Sequence, residues 1–129
     1  MKPCVLLYHF QGTRRGRLLK SILVTMGVRI KNVERSEYRK PIGELAGIRK
    51  EEKEAESYEG EELPEEMMIM CGFTQSMIQE LLIRIRRQRI APVDLKAVLT
   101  PTNQNWNSLE IYEEIKKEHR MMHEKTQAD

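Results

Sequence analysis

Apolar and polar residues alternate along this chain with two different periods, and the switches between them divide it into short elements. Cys4-Val5-Leu6-Leu7-Tyr8 is an unbroken apolar run closed by His9, Phe10, Gln11 and Gly12, which reads as a buried strand ending in a turn. Leu18, Leu19, Ile22, Leu23 and Met26 then recur on one face of the helical period. Thr13 supplies an N-cap and Gly27 a left-handed stop, so a helix is predicted between them. Val28 to Val33 alternates as a second strand, with Val28, Ile30 and Asn32 on one side and Arg29, Lys31 and Val33 on the other. Beyond it, Tyr38, Pro41, Ile42, Gly43, Leu45 and Ala46 predict a loop into a short helix that stops at Gly47.

The second half carries the clearest pattern. Met67 to Met70 is an apolar run that stops at Cys71 and Gly72. Thr74 follows as an N-cap, with Phe73 and Ile78 placed as a hydrophobic staple. Met77, Ile78, Leu81, Leu82 and Ile85 line one helical face until Pro92 ends the pattern. Val93, Leu95 and Ala97 alternate with Asp94, Lys96 and Val98 before Leu99, a second strand. After the polar loop Thr100 to Asn105, Asn107 and Glu110 form a capping box and Trp106 with Ile111 a second staple. The last helix then runs through Leu109, Tyr112 and Ile115.

The helical faces of the two halves share one spacing, each is flanked by apolar strands, and Pro41 to Leu45 falls where Asn105 to Leu109 falls in the second half. The predicted fold class is therefore α/β: two weakly repeated βαβ(α) units forming a four-stranded, mostly parallel sheet flanked by helices. Residues 1–47 make the first unit, 48–66 an acidic linker and 67–125 the second unit. A strand order of 2-1-3-4 sets the first strands of the units side by side. Their C-terminal ends then meet at a switch point, where open α/β sheets bind ligands. The alternative is a mixed sheet in which the units meet antiparallel.

Composition modifies this picture in one place. Lys50 to Glu66 holds nine Glu and two Lys, a net −7 in a chain of formal net charge +2, which leaves +9 for the rest. With only Ala55, Tyr58 and Leu63 as apolar content, this stretch is expected to be a flexible or weakly helical linker. Two cysteines, Cys4 and Cys71, without zinc spacing, point to a reducing cytosol, and a disulfide between them stays open. No apolar run approaches the ~20 residues that span a bilayer, and the N-terminus lacks signal-peptide features. A soluble, cytoplasmic protein that engages no membrane is the expectation.

Tyr38-Arg39-Lys40-Pro41-Ile42-Gly43-Glu44-Leu45-Ala46-Gly47, together with Lys96-Ala97-Val98-Leu99-Thr100-Pro101-Thr102-Asn103-Gln104-Asn105-Trp106, resembles an uncharacterised bacterial family of anaerobic Gram-positive organisms, a domain of unknown function. The resemblance covers Met67 to His119 most clearly. It implies a bacterial cytosolic domain and brings no catalytic or ligand residues with it.

Three places carry candidate chemistry. Gly12, Thr13, Arg14, Arg15 and Arg17 set free N–H groups and guanidinium groups at a helix start, where an anion would bind; the plain alternative is a capped helix with a solvated basic first turn. Thr100, Thr102, Asn103, Asn105 and Trp106 gather hydroxyls, amides and an indole at a strand end, against the alternative that they merely turn and cap the chain. Cys71, at a strand end before a helix, is a catalytic candidate with His9 if the two strands are neighbours, against a buried structural thiol. His119 and His123 share a helical face without the His-Glu-x-x-His order, so no metal site and no cofactor is assigned. Arg84, Arg86, Arg87 and Arg89 lack interleaved aromatics, which disfavours nucleic acid. The leading expectation is a small non-enzymatic binding or regulatory module that recognises an anionic metabolite or a protein partner. A thiol-dependent enzyme or redox protein using Cys71, and nucleic-acid binding through the arginine faces, are the alternatives.

Overall fold

A computed structural model of the chain describes residues 2–50 and 56–128, with side chains of the last helix described as far as Met122. The regular elements are β1 (Cys4–Tyr8), α1 (Arg14–Thr25), β2 (Arg29–Asn32), α2 (Ile42–Leu45), β3 (Met67–Cys71), α3 (Gln75–Arg87), β4 (Lys96–Val98) and α4 (Ser108–Ala128). Short 3₁₀ turns follow β2 at Arg35–Glu37 and β4 at Asn103–Asn105.

The local signals act as expected. Thr13 Oγ1 accepts from Gly16 N at 2.9 Å and Thr74 Oγ1 from Met77 N at 3.2 Å, each satisfying one amide that a helix start leaves unpaired. Asn107 and Glu110 exchange both bonds of a capping box, at 2.9 and 3.1 Å. Gly27 and Gly47, just past α1 and α2, have φ of +74° and +77°, a left-handed conformation that glycine adopts without strain. β4 is shorter than the alternation predicts. Val93 and Leu95 are buried but precede the paired residues, because the chain is still turning out of α3 there.

The sheet is a mixed α/β sheet of four strands in the order β2-β1-β3-β4. β1–β2 and β3–β4 are parallel, as each crossover requires, while β1 and β3 pair antiparallel from Cys4↔Cys71 to Tyr8↔Met67. The connections explain this arrangement. Arg29 donates to the Ala46 carbonyl, so α2 ends at the N-terminal end of β2, and the acidic stretch returns to the other end before β3 starts. Residues 48–50 and 56–66 of the expected linker are described and the latter are anchored, whereas residues 51–55 lie outside the described residues. Tyr58 stacks beside Tyr38 with ring centroids 5.5 Å apart, Leu63 is buried, and Glu65 accepts from Tyr112 and pairs with Lys116.

β1 and β3 are buried on both faces. Val5, Leu7, Met68 and Met70 pack under α1 and α3, with Leu19, Ile22, Leu23, Leu81 and Ile85. Leu6, Tyr8, Met67 and Ile69 pack on the opposite face with Tyr38, Ile42, Ile111, Tyr112 and Ile115. The two halves thus share one sheet with a core on each side. Among the described residues no helix is long and apolar enough to cross a membrane.

Candidate functional site

The antiparallel centre decides where the predicted site residues fall. The turn after β1, with Gly12 to Arg17, lies at the end where β3 and β4 begin; the loop after β4, Thr100 to Trp106, lies at the opposite end. The shared crevice expected from matching strand ends is therefore not formed.

At the first of these ends, Gly12, Thr13, Arg14 and Arg17 are exposed, while Arg15 is engaged. Its guanidinium pairs with Glu66, donates to the Ala91 carbonyl at 2.8 and 3.2 Å and to the Pro92 carbonyl at 2.6 Å, and lies 5.7 Å from the Phe10 ring centre. Arg15 ties the β1–α1 turn to the connection entering β4. A group with its charge neutralised and its donors committed is no free ligand for an anion.

The second polar loop is also internally bonded. Asn103 is buried: its Oδ1 accepts from Thr100 N at 2.8 Å, its Nδ2 donates to the Val98 carbonyl at 3.0 Å, and its own N–H donates to Thr100 Oγ1. Asn105 Oδ1 accepts from Arg49 at 2.6 Å. Trp106 O accepts from Ile42 N at 2.8 Å and Tyr38 O from Ser108 N at 3.1 Å, joining Pro41 and Asn107 in a short antiparallel bridge. The two runs that carry the family resemblance are thus two sides of one junction. Gly43 fits there because a Cβ would sit 3.1 Å from Gln104 O and 2.8 Å from Arg49 Cδ. Thr102 is exposed.

Cys71 and His9 do not meet. Cys71 faces Cys4 across the sheet, and His9 follows Tyr8 at the far end of the pair, five residues on, roughly 16 Å away by the strand rise. Cys71 is fully buried, and burial pushes its thiol up to about 12, the neighbouring Cys4 adding to the effect. Cys4 is likewise raised by burial. Both thiols are free. Among the arginines of α3, Arg84 is held by Glu80 at 2.8 Å, and Arg86, Arg87 and Arg89 are exposed. The His123 side chain lies outside the described residues.

Several concave surfaces remain, including one of ≈ 600 Å³ between α1 and α3 bordered by Glu80, Arg84 and Arg87; two others lie against the sheet. A polar crevice of ≈ 670 Å³ lies at the C-terminal ends of β1 and β2, bordered by His9, Gln11, Asn32, Glu34, Arg35 and Glu62. His9 has φ of 68° there, and Asn32 Oδ1 is buried without a partner. Its charged groups are mixed in sign, so it presents neither an anion nor a cation site.

The other is a groove of ≈ 530 Å³ along the outer edge of β4. Its floor is Lys96, Ala97 and Val98; one wall comes from Ile78 of α3 and the other from Trp106, Ile111 and Ile115, rimmed by Glu114 and Glu118. Met68 N donates to Leu95 O and Leu99 N to Met70 O, so the odd-numbered residues face β3. By alternation Lys96 and Val98 direct their backbone groups outward. The Asn103 side chain already occupies the Val98 carbonyl. Left open are the N–H and C=O of Lys96 and the N–H of Val98. Glu114 and Glu118 make no ion pair among the described residues.

Sequence reasoning found Thr100, Asn103 and Trp106 at one end of this groove and placed Ile111 and Ile115 in the core, where they are buried, but it gave the partly exposed Ile78 no surface role. The available signal was Glu114 and Glu118, like charges one helical turn apart on the face next to Ile111 and Ile115.

Residues 66–122 match the family model of a domain of unknown function (DUF3783). Every residue lining the β4 groove, from Met70 to Glu118, lies inside that DUF3783 span, whereas His9, Gln11, Asn32 and Glu62 of the polar crevice lie outside it. No curated protein and no solved structure matches the chain.

Proposed function

We propose that this chain is a small non-enzymatic binding module whose ligand is a protein partner seated in the β4 groove. The observation that carries this reading is the coincidence, within the DUF3783 span, of apolar walls, open strand-edge backbone and rim carboxylates that form no ion pair among the described residues. Protein partners use such surfaces, because buried apolar area supplies affinity and polar backbone groups supply orientation. An anionic metabolite is less well supported, since Arg15 is neutralised by Glu66 while Arg14 and Arg17 stand exposed to solvent. Thiol chemistry lacks an accessible nucleophile. The proposal extends to a bacterial cytosol, where buried free thiols persist without oxidation.

We read the two βαβα units as products of duplication. Supporting this, Thr13 and Thr74 cap equivalent helices, and His9 and Gly72 end equivalent strands with φ of 68° and 72°.

The test is selection of binders from a random peptide display library on the full chain, followed by amide NMR mapping of each binder. Binders that shift the signals of residues 96–98 and the Trp106 indole support the module. Binders that all map to the His9–Asn32 crevice or to α1 overturn it.

A further inference from the structure

Taken with the reading just proposed, on which it rests, the geometry points to strand addition: the partner supplies a short extended segment that pairs with β4, apolar toward α3 and basic toward α4. β4 is an edge strand, and its exposed N–H and C=O groups form a template for another strand. α3 and α4 flank that edge on opposite faces, so a fifth strand enters with alternate side chains on each wall. Toward α3 it meets Ile78, Met70 and Val98, which call for apolar residues, beside Lys96, whose ammonium is turned back onto the Val93 carbonyl at 3.0 Å.

Toward α4 it meets Trp106, Ile111 and Ile115 below, and Glu114 and Glu118 above. Lys or Arg satisfies both levels, its methylene stem lying on the apolar floor and its head reaching a carboxylate. The spacing agrees as well. Residues four apart on a helix are roughly 6 Å apart along its axis. Side chains two apart on a strand are roughly 7 Å apart. Basic residues at positions i and i+2 of the segment therefore reach Glu118 and Glu114 together. The Asn103 amide on the Val98 carbonyl marks where pairing stops and limits the paired stretch to the ~10 Å of β4 itself.

The probe is the blocked pentapeptide Val-Lys-Val-Arg-Val, titrated into the full chain with residue-resolved amide hydrogen exchange as readout. Binding is expected to slow exchange at Lys96 and Val98 severalfold. The twin Val-Glu-Val-Glu-Val is expected to bind about tenfold more weakly, as is the basic peptide against E114Q/E118Q, two rim charges of modest worth each giving that ratio. N-methylation of the peptide amides that face β4 is expected to abolish binding. Val98→Pro, which removes an outward N–H and leaves the β3 ladder intact, acts from the host side. If Val98→Pro does not fold, the N-methylated peptide carries the same test.

Equal binding of the acidic and basic peptides overturns the charge pattern. Binding that shifts Trp106 without protecting Lys96 and Val98 overturns strand addition and leaves the module reading standing. Failure of the basic peptide to bind, while library peptides map to the groove, overturns this inference alone. Failure of both overturns the two together.

Discussion

Replacing Arg15 by Ala separates its role as a clamp from its role as an anion ligand. The guanidinium holds three partners, Glu66, Ala91 O and Pro92 O, and lies over Phe10, with its side chain 25% exposed. Hydrogen bonds from a charged donor contribute about 1.5–3 kcal/mol when buried, but partial exposure brings these nearer 1. The ion pair adds up to about 1 kcal/mol and the ring contact about 0.5. Against this, fixing an arginine side chain costs up to about 2 kcal/mol of rotamer entropy, which the alanine variant does not lose. The net expected destabilisation is about 1–2 kcal/mol, a fall of roughly 0.5–1 M in the urea midpoint at the slopes usual for small domains. Arg15→Lys keeps the charge but not the fork, and is expected to recover less than half. A midpoint unchanged in Arg15→Ala would refute the clamp. So would a phosphate-induced stabilisation of the native chain that Arg15→Ala abolishes.

Other positions make equally definite demands. Gly16→Ala, which in an ordinary helix would stabilise, is expected to destabilise by about 2 kcal/mol or more, because the added Cβ would lie 1.8 Å from the Phe10 carbonyl oxygen; denaturant unfolding checks the sign. Tyr8→Phe is expected to cost about 1–3 kcal/mol by stranding the Ser108 hydroxyl, now 2.6 Å from the Tyr8 OH and fully buried, with part recovered in the Tyr8→Phe/Ser108→Ala double variant. Burial raises the Cys71 thiol in the folded chain from its ordinary 9.0 to about 12, so its contribution to stability is fully present below pH 9 and declines as pH rises toward 12. Thermal melts across that window should lose part of their slope in Cys71→Val, and an unchanged slope would contradict the assignment. Native-state alkylation of Cys71 is expected to be slow at pH 8 and to accelerate only on unfolding.

What was legible in the sequence was local. Thr13, Thr74, and Asn107 with Glu110 cap helices through bonds spanning three residues, and Gly27 and Gly47 stop them through their own backbone, so each was readable where it stands. The parallel pairing within each unit was readable because a strand–helix–strand crossover constrains its hand, whereas the neighbouring of β1 and β3 was a choice that the structure bears out. How the units meet was not readable, because β1 and β3 are apolar throughout and pair equally well in either sense. That one undetermined sign separated Cys71 from His9 and set the two polar loops at opposite ends. Tyr58 and Leu63 were visible only as sparse apolar residues among glutamates. Their anchoring role depends on Tyr38 and the core, which composition does not encode. The polar residues of Thr100 to Asn105 were recognised as a group, but their bonds to Val98 and Arg49 turn most of them inward.

The antiparallel meeting of β1 and β3 is the claim on which the placement of every candidate site depends, and proton NMR distances across that pair test it directly. Because Cys4, Leu6 and Tyr8 point their backbone groups toward β3, Val5 with Met70 and Leu7 with Met68 are the non-hydrogen-bonded pairs, whose Cα atoms lie about 4.5 Å apart. Strong Hα–Hα cross-peaks are predicted for Val5–Met70 and Leu7–Met68. A pattern linking Cys4 with Met67 and Tyr8 with Cys71 would contradict the account, because a parallel centre would bring Thr13 and Thr102 to the same end of the sheet.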